Sequence, residues 1–397
     1  MPPEPTEPGG AALSPCAVLT GDTVLTREPN VDPRLTSLLT GAPATVANLE
    51  VPLTAGGTPA EKAATHRADP KVARWLAALG ITAASLANNH AMDYGPDGLA
   101  DTLHSLTAAG VAGLGAGADL TAARAAHHAV TPTGTVAFLS LSASLPPGFA
   151  ATATSAGVVG LRVRQQVSID PALAAEQPGM APYVHTQAHG PDLGAVLESV
   201  AQAASAASLV VVLIHWGVPH GFAAASNGTL AQYQRPVGHA LIDAGAHLVV
   251  GHHPHAVHPL EAHGHGLIAY SVGNFMFHNW SHFSGQQQPC PATTWAGDDS
   301  APFPMEIPAA PYRSAFCDTE TLDSVVVLIE EATRRGRIIR FLPTTMTEGD
   351  PWIPGIAHCH HILDRLEGSG GQLAGRALTR RTDLIADAAV GEVTIDA

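Results

Sequence analysis

The chain is poor in positive charge, in cysteine and in aromatic rings. Of its 397 residues, 19 are Lys or Arg against 34 Asp or Glu, for a formal net charge of -15, and the lysines are just Lys62 and Lys71. A nucleic-acid groove or a contact with an anionic membrane surface needs clustered cations. The one basic cluster, Arg334, Arg335, Arg337 and Arg340, lies between two apolar runs and reads as a hairpin turn, so nucleic acid is excluded as a partner. Cys16, Cys290, Cys317 and Cys359 form no CxxC pair and are too sparse for a disulfide framework or a thiolate zinc site. They read as reduced thiols of a cytoplasmic protein. No run approaches the ~18 apolar residues of a membrane span, which predicts no integral membrane segment. The opening MPPEPTEPGG has acids and prolines where a signal peptide has a basic start and an apolar core, and residues 1–15 are expected to be disordered. With 46% hydrophobic and 13% charged residues, the remainder has the composition of a globular chain.

Hydrophobic patterning predicts strands over residues 16–20, 45–49, 81–86, 136–141, 209–214 and 247–250, with helices over 70–79, 96–109, 192–207 and 230–244. Alternating strands and helices argue for a layered α/β fold. Residues 143–190 are turn-rich. From residue 267 the texture changes, with strands expected over 267–272, 324–329 and 337–342 and no helix between them, as in an antiparallel or mixed sheet. The stretch from 278 to 322 holds many Pro, Gln, Gly and Ser residues without a period and is expected to be a lid or insertion. Residues 16–345 are thus read as one domain and 346–397 as a C-terminal extension, loosely attached after Gly368.

Histidine is the anomaly: 22 in all, 12 of them between His215 and His282. Their positions favour metal binding over a solvated surface. Asp22, Glu50, Asn89 with His90, His215, and His253 with His255 each follow a predicted strand. The C-terminal ends of strands are where open α/β sheets assemble their sites. In an extended backbone, His253 and His255 would point to one face and His252 to the other. Gly21 would give the backbone a tight exit from the first strand. Carboxylate, carboxamide and imidazole donors together favour Mn, Zn or Fe over calcium.

The motifs Gly21-Asp22, Asn48-Leu49-Glu50-Val51-Pro52, Ala87-Asn88-Asn89-His90 with Asp93-Tyr94-Gly95, His215-Trp216-Gly217, Gly251-His252-His253-Pro254-His255 and Tyr270-Ser271-Val272-Gly273-Asn274-Phe275 occur in order along two thirds of the chain. In this set the sequence resembles the CapA-type poly-γ-glutamate capsule proteins of the metallophosphatase-like superfamily. The resemblance implies a calcineurin-like metallophosphoesterase fold, an α/β four-layer sandwich of two mixed sheets packed face to face with helices outside. It also implies two divalent metal ions at one edge. Asp22 and His255 would hold one, Glu50 would bridge, and Asn89, His215 and His253 would hold the other. His90 would be the general acid, and Asp93 would either orient its imidazole or support the first turn of the following helix.

His252 is read as a supporting or surface residue, and His220, His258, His263, His265 and the histidines of 358–361 as solvated. Relatives usually carry a glutamate two residues after the Gly of the HWG motif, where this chain has Pro219. The activity implied is metal-assisted hydrolysis of a small anionic or γ-glutamyl-type substrate, at a phosphoester or an amide bond. The alternative is a non-catalytic component of poly-γ-glutamate synthesis or export.

Overall fold

The computed structural model describes residues 13–62, 65–132, 134–177, 179, 182–218, 230–278, 319–333, 336–368 and 377–395. Most of the expected lid, together with Pro219, His220, Cys290 and Cys317, lies outside the described residues, as does most of the expected disordered amino-terminal segment.

In chain order the strands are β1 (Ala17–Val24), β2 (Thr45–Leu49), β3 (Ala83–Ser85), β4 (Ala112–Leu114), β5 (Ala116–Gly117), β6 (His127–Thr131), β7 (Gly134–Ser142), β8 (Gly157–Val158), β9 (Val163–Ser168) and β10 (Tyr183–Ala188). They continue as β11 (Leu209–His215), β12 (Leu248–His252), β13 (Val257–His263), β14 (Gly266–Val272), β15 (Asn274–Phe277), β16 (Asp323–Thr333), β17 (Gly336–Thr347), β18 (Asp350–Trp352), β19 (Thr379–Arg381) and β20 (Val390–Ile395). A ten-stranded sheet runs β19-β20-β17-β16-β1-β2-β3-β4, with β15 on β1 and β18 on β17. A six-stranded sheet runs β13-β14-β12-β11-β7-β6. Both are mixed: β1 to β4 are parallel while β16 and β17 are antiparallel. Likewise β7, β11, β12 and β14 are parallel and the outer strands β6 and β13 antiparallel.

The sandwich follows from strands apolar on both faces, as parallel strands flanked by two layers must be. In β11, Leu209, Val211 and Leu213 join the cluster that includes Val18, Leu19 and Val46 of the ten-stranded sheet. The alternate residues Val210, Val212 and Ile214 join a second cluster with Val196 and Val200 of helix Gly190–Ala206 and Val237 and Leu241 of helix Gln234–Asp243. Helices Pro33–Gly41, Val72–Ala78 and Gly95–Ala108 bury Leu35, Leu39, Val72, Leu76, Leu99 and Leu106 in the first cluster. The result is the expected α/β sandwich of two mixed sheets with helices outside. No helix among the described residues is long and apolar enough to cross a membrane.

Three expectations are corrected by the topology. The chain after Gly368 is no loose tail: β20 pairs with β17 through Arg337↔Ile395 to Phe341↔Gly391, and Ala388, Ala389 and Val390 are fully buried. The strands after residue 267 do not form one sheet, since β14 lies parallel to β12 while β16 and β17 join β1. Residues 143–190, read as turns, contain the β9 and β10 ribbon and a short helix, Pro171–Glu176. β16 and β17 pair antiparallel as far as Thr333↔Gly336, and the expected turn residues Arg334 and Arg335 lie outside the described residues.

Candidate metal centre

The parallel strands of the two sheets present their C-terminal ends at one edge. Asp22 lies inside β1 and not beyond it, at a register shift between Thr20 and Asp22. Gly21 serves a close approach: a Cβ there would stand 2.0 Å from the Gly273 carbonyl oxygen, which accepts the Asp22 amide at 3.0 Å. Glu50 follows β2, Asn89 and His90 lie in the bend between β3 and helix Gly95–Ala108, and His215 is the last residue of β11. His253 and His255 reach the site by a route the extended-strand expectation missed. Their φ angles are 95° and 57°, so the backbone after β12 is a tight left-handed turn. Such conformations are uncommon for non-glycine residues and cluster at functional sites.

These side chains converge into two groups sharing one carboxylate. Asp22, Glu50 and His255 have ligand atoms within 4.8 Å of one another, and so do Glu50, His215 and His253. His215 Nε2 is 2.8 Å from Asn89 Oδ1 and 3.4 Å from Glu50 Oε1, which brings Asn89 to the second group. Asn48 donates to Asp22 Oδ1 at 2.7 Å, and Asn274 Oδ1 accepts from His255 Nδ1 at 2.8 Å, leaving Nε2 of His255 to face Glu50 at 4.0 Å. Asn48 and Asn274 stand in the quoted motifs, but no role was assigned to them from sequence. Only the geometry shows that they orient the donors, as hydrogen-bond partners of metal ligands do.

The electrostatics of this edge are those of a site short of cations. Burial works against ionisation of Asp22, yet the hydrogen bond and charge of His255 outweigh it, with His252 and His215 adding, and hold the carboxyl well below the usual range. Burial likewise opposes a proton on His255, but Glu50 and Asp22 prevail and its pKa is pushed up to about 9. His253, buried and close to His215 and His255, is held well below the ordinary imidazole value. Both oxygens of Glu50 and Nδ1 of His253 are buried without a hydrogen-bond partner among the described residues. Leaving a buried carboxylate undonated is costly. Divalent cations between these atoms would satisfy all of them, so the donor set fits the two groups it forms.

His90 and Asp93 form a pair beside these groups, with His90 Nδ1 2.6 Å from Asp93 Oδ2. Asp93 also accepts Lys62 Nζ at 2.7 Å and the His66 amide at 2.6 Å, and the His66 ring lies 4.1 Å from that of His90. Of the two roles open for Asp93, it holds the His90 ring. Burial, then the Lys62 charge, lower the His90 pKa well below its ordinary value. Lys62 and His66 went unassigned from sequence because they sit in a loop without periodicity; the rarity of lysine was the one available signal.

His252 is neither surface nor ligand: it is 1% exposed and hydrogen-bonded to the Thr20 carbonyl at 3.2 Å. His258, expected to be solvated, is 3% exposed, and His358 contacts the buried Asp323 at 2.9 Å. His263 pairs with Asp243 and stacks on His239 at 3.8 Å.

Residues 25–279 match the family of the bacterial capsule synthesis protein PGA_cap. The chain belongs to this family. All the converging residues except Asp22 lie within the PGA_cap match. The PGA biosynthesis protein CapA of Bacillus subtilis (strain 168) is 30% identical over 200 residues, 50% of this chain and 43% of that protein. A probable polyglutamine synthesis accessory protein of Mycobacterium tuberculosis (strain ATCC 25618 / H37Rv) is 33% identical over 239 residues, 57% of this chain and 53% of that protein. The chain thus spans about half the length of these PGA_cap relatives. A solved structure of a phosphatase from Mycoplasma pneumoniae covers 85% of this chain and 90% of its own, with a TM-score of 0.36 at 9% identity.

Proposed function

We propose that this PGA_cap protein is a metal-dependent hydrolase with two divalent ions, Mn, Zn or Fe, acting on a small anionic substrate at a phosphoester or a γ-glutamyl amide bond. Asp22 and His255 would hold one ion, Asn89, His215 and His253 the other, and Glu50 would bridge them. The observation that carries this reading is Glu50, whose buried oxygens have no hydrogen-bond donor among the described residues and which is shared by two groups of potential ligands.

When bound, the ions would supply Lewis-acid activation of water and substrate. The protein's own part is orientation and proton transfer. Asn48 and Asn274 fix Asp22 and His255. Asp93 holds His90 through Nδ1, so that Nε2 is the atom that delivers a proton to the leaving group. The depressed pKa of His90 makes it a willing donor once charged. The relatives are named for PGA biosynthesis and for polyglutamine synthesis, which is the ground for trying a γ-glutamyl amide beside the phosphoesters.

The test is elemental analysis of the purified protein followed by a panel of phosphoesters and γ-glutamyl amides. Two equivalents of metal with turnover of either class are expected. A stable metal-free protein without turnover would instead support a non-catalytic component of polymer synthesis or export.

A further inference from the structure

One of the chain's two lysines is half-buried beside the proposed centre. Lys62 has only 16% of its side chain exposed, and its ammonium touches three atoms of one turn. It donates to the Asn89 carbonyl at 2.5 Å and to Asp93 Oδ1 at 2.7 Å, and lies 3.3 Å from His90 Nδ1. On its other side the Phe149 ring lies 5.5 Å from Nζ. A compact ammonium has three donor hydrogens and no acceptor, so it can bind several oxygens of a tight turn at once. Asp93 is fully buried, which makes the loss of a charged partner there expensive.

We infer that Lys62 is a positioning residue, which fastens the turn over residues 89–93 so that the Asn89 side chain and the His90 ring are both aimed at the metal groups. The inference rests on the proposed metal centre and deepens it. The Asn89 side chain reaches His215 Nε2 at 2.8 Å, while its carbonyl is held by Lys62. The same residue is therefore donor to one metal group and anchor to the lysine. Asp22 and His255 are instead oriented by Asn48 and Asn274 from other strands. Loss of Lys62 should therefore act on one metal group and spare the other.

The experiment is calorimetric titration of chelator-stripped full-length protein with MnCl2, comparing wild type with Lys62→Met and Lys62→Gln. Wild type should bind two ions. In Lys62→Met one affinity should fall by about 10- to 100-fold, the usual effect of losing a group that orients a metal ligand, and the other should hold within about twofold. Lys62→Gln keeps an uncharged NH2 donor group and should fall between, which keeps the test usable if the Met variant folds poorly. The exchange-coupled signal of an Mn pair, read by electron paramagnetic resonance, should weaken in step. Two unchanged affinities would overturn the role of Lys62 alone, and so would two affinities that fall together with the melting temperature. Wild-type protein that binds no Mn would overturn the metal centre, and this inference with it.

Discussion

The sharpest consequence of the site's electrostatics for the proposed centre is a proton that would have to leave before one metal bound. His255 is buried against Glu50 and Asp22, and its pKa is pushed up to about 9 from the ordinary imidazole value of 6.5. Below that pH the metal-free protein carries the proton, and a metal can take Nε2 only from the neutral ring. The apparent affinity should therefore drop about tenfold for each pH unit below 9, or about 100-fold between roughly pH 8 and pH 6. That is ~2.7 kcal/mol of binding free energy. Asp22 remains ionised across this range, so it adds no compensating slope. The other group behaves differently, because burial and the charges of His215 and His255 already hold His253 well below the ordinary value. No comparable slope is expected from His253. The same proton sets the stability of the metal-free fold. A raised histidine pKa stabilises fully below the unfolded value, and that contribution is lost as pH rises through the folded value. Metal-free protein should therefore lose thermal stability between roughly pH 6.5 and pH 9, and metal-loaded protein should not. Mn titrations in buffers of different ionisation enthalpy near pH 7 would count the protons. About one proton released on filling one of two sites is expected, and pH-independent binding at both sites would refute the charge assignment.

Replacing Asp22 or His253 by Ala should lower metal content and turnover together; variants that keep both metals would remove those residues from the ligand set. His90→Asn should retain metal yet slow turnover by roughly 100- to 10,000-fold, with a smaller defect for substrates whose leaving group is a weak base. An equal defect across leaving groups would mean that His90 does not deliver the proton. Gly251→Ala would put a Cβ 2.0 Å from the Tyr270 carbonyl oxygen and 2.5 Å from Trp216 Nε1, where the indole donates to that same carbonyl at 2.8 Å. Overpacking plus loss of a buried hydrogen bond should cost about 2–5 kcal/mol in urea unfolding, and a loss under about 0.5 kcal/mol would contradict the tight β12–β14 contact.

How far such a site can be read from sequence depends on whether each donor is delivered by local structure or by tertiary folding. Glu50 and His215 were legible because one directly follows and the other ends a short strand buried along its whole length, and parallel strands between two layers are covered on both faces. The same logic located β2 at Thr45–Leu49 without error. It failed for His253 and His255, since alternation assumes extended backbone and the chain there turns left-handed. It failed again for β20, a short strand that pairs with β17 some fifty residues earlier in the chain, and for β19, which is held at the sheet edge by β20. Histidine count misled in a subtler way. A solvated histidine and a buried one look alike in sequence, yet His252, His258 and the paired His278 are all buried, and only His252 adjoins the metal groups. Lys62 is the converse case. In a chain with two lysines, one half-buried against a carboxylate must offset a desolvation cost that a fully exposed lysine never meets. Its contacts with Asp93 and the Asn89 carbonyl, which no periodicity announces, are therefore the strongest physical argument that the loop bearing it belongs to the site.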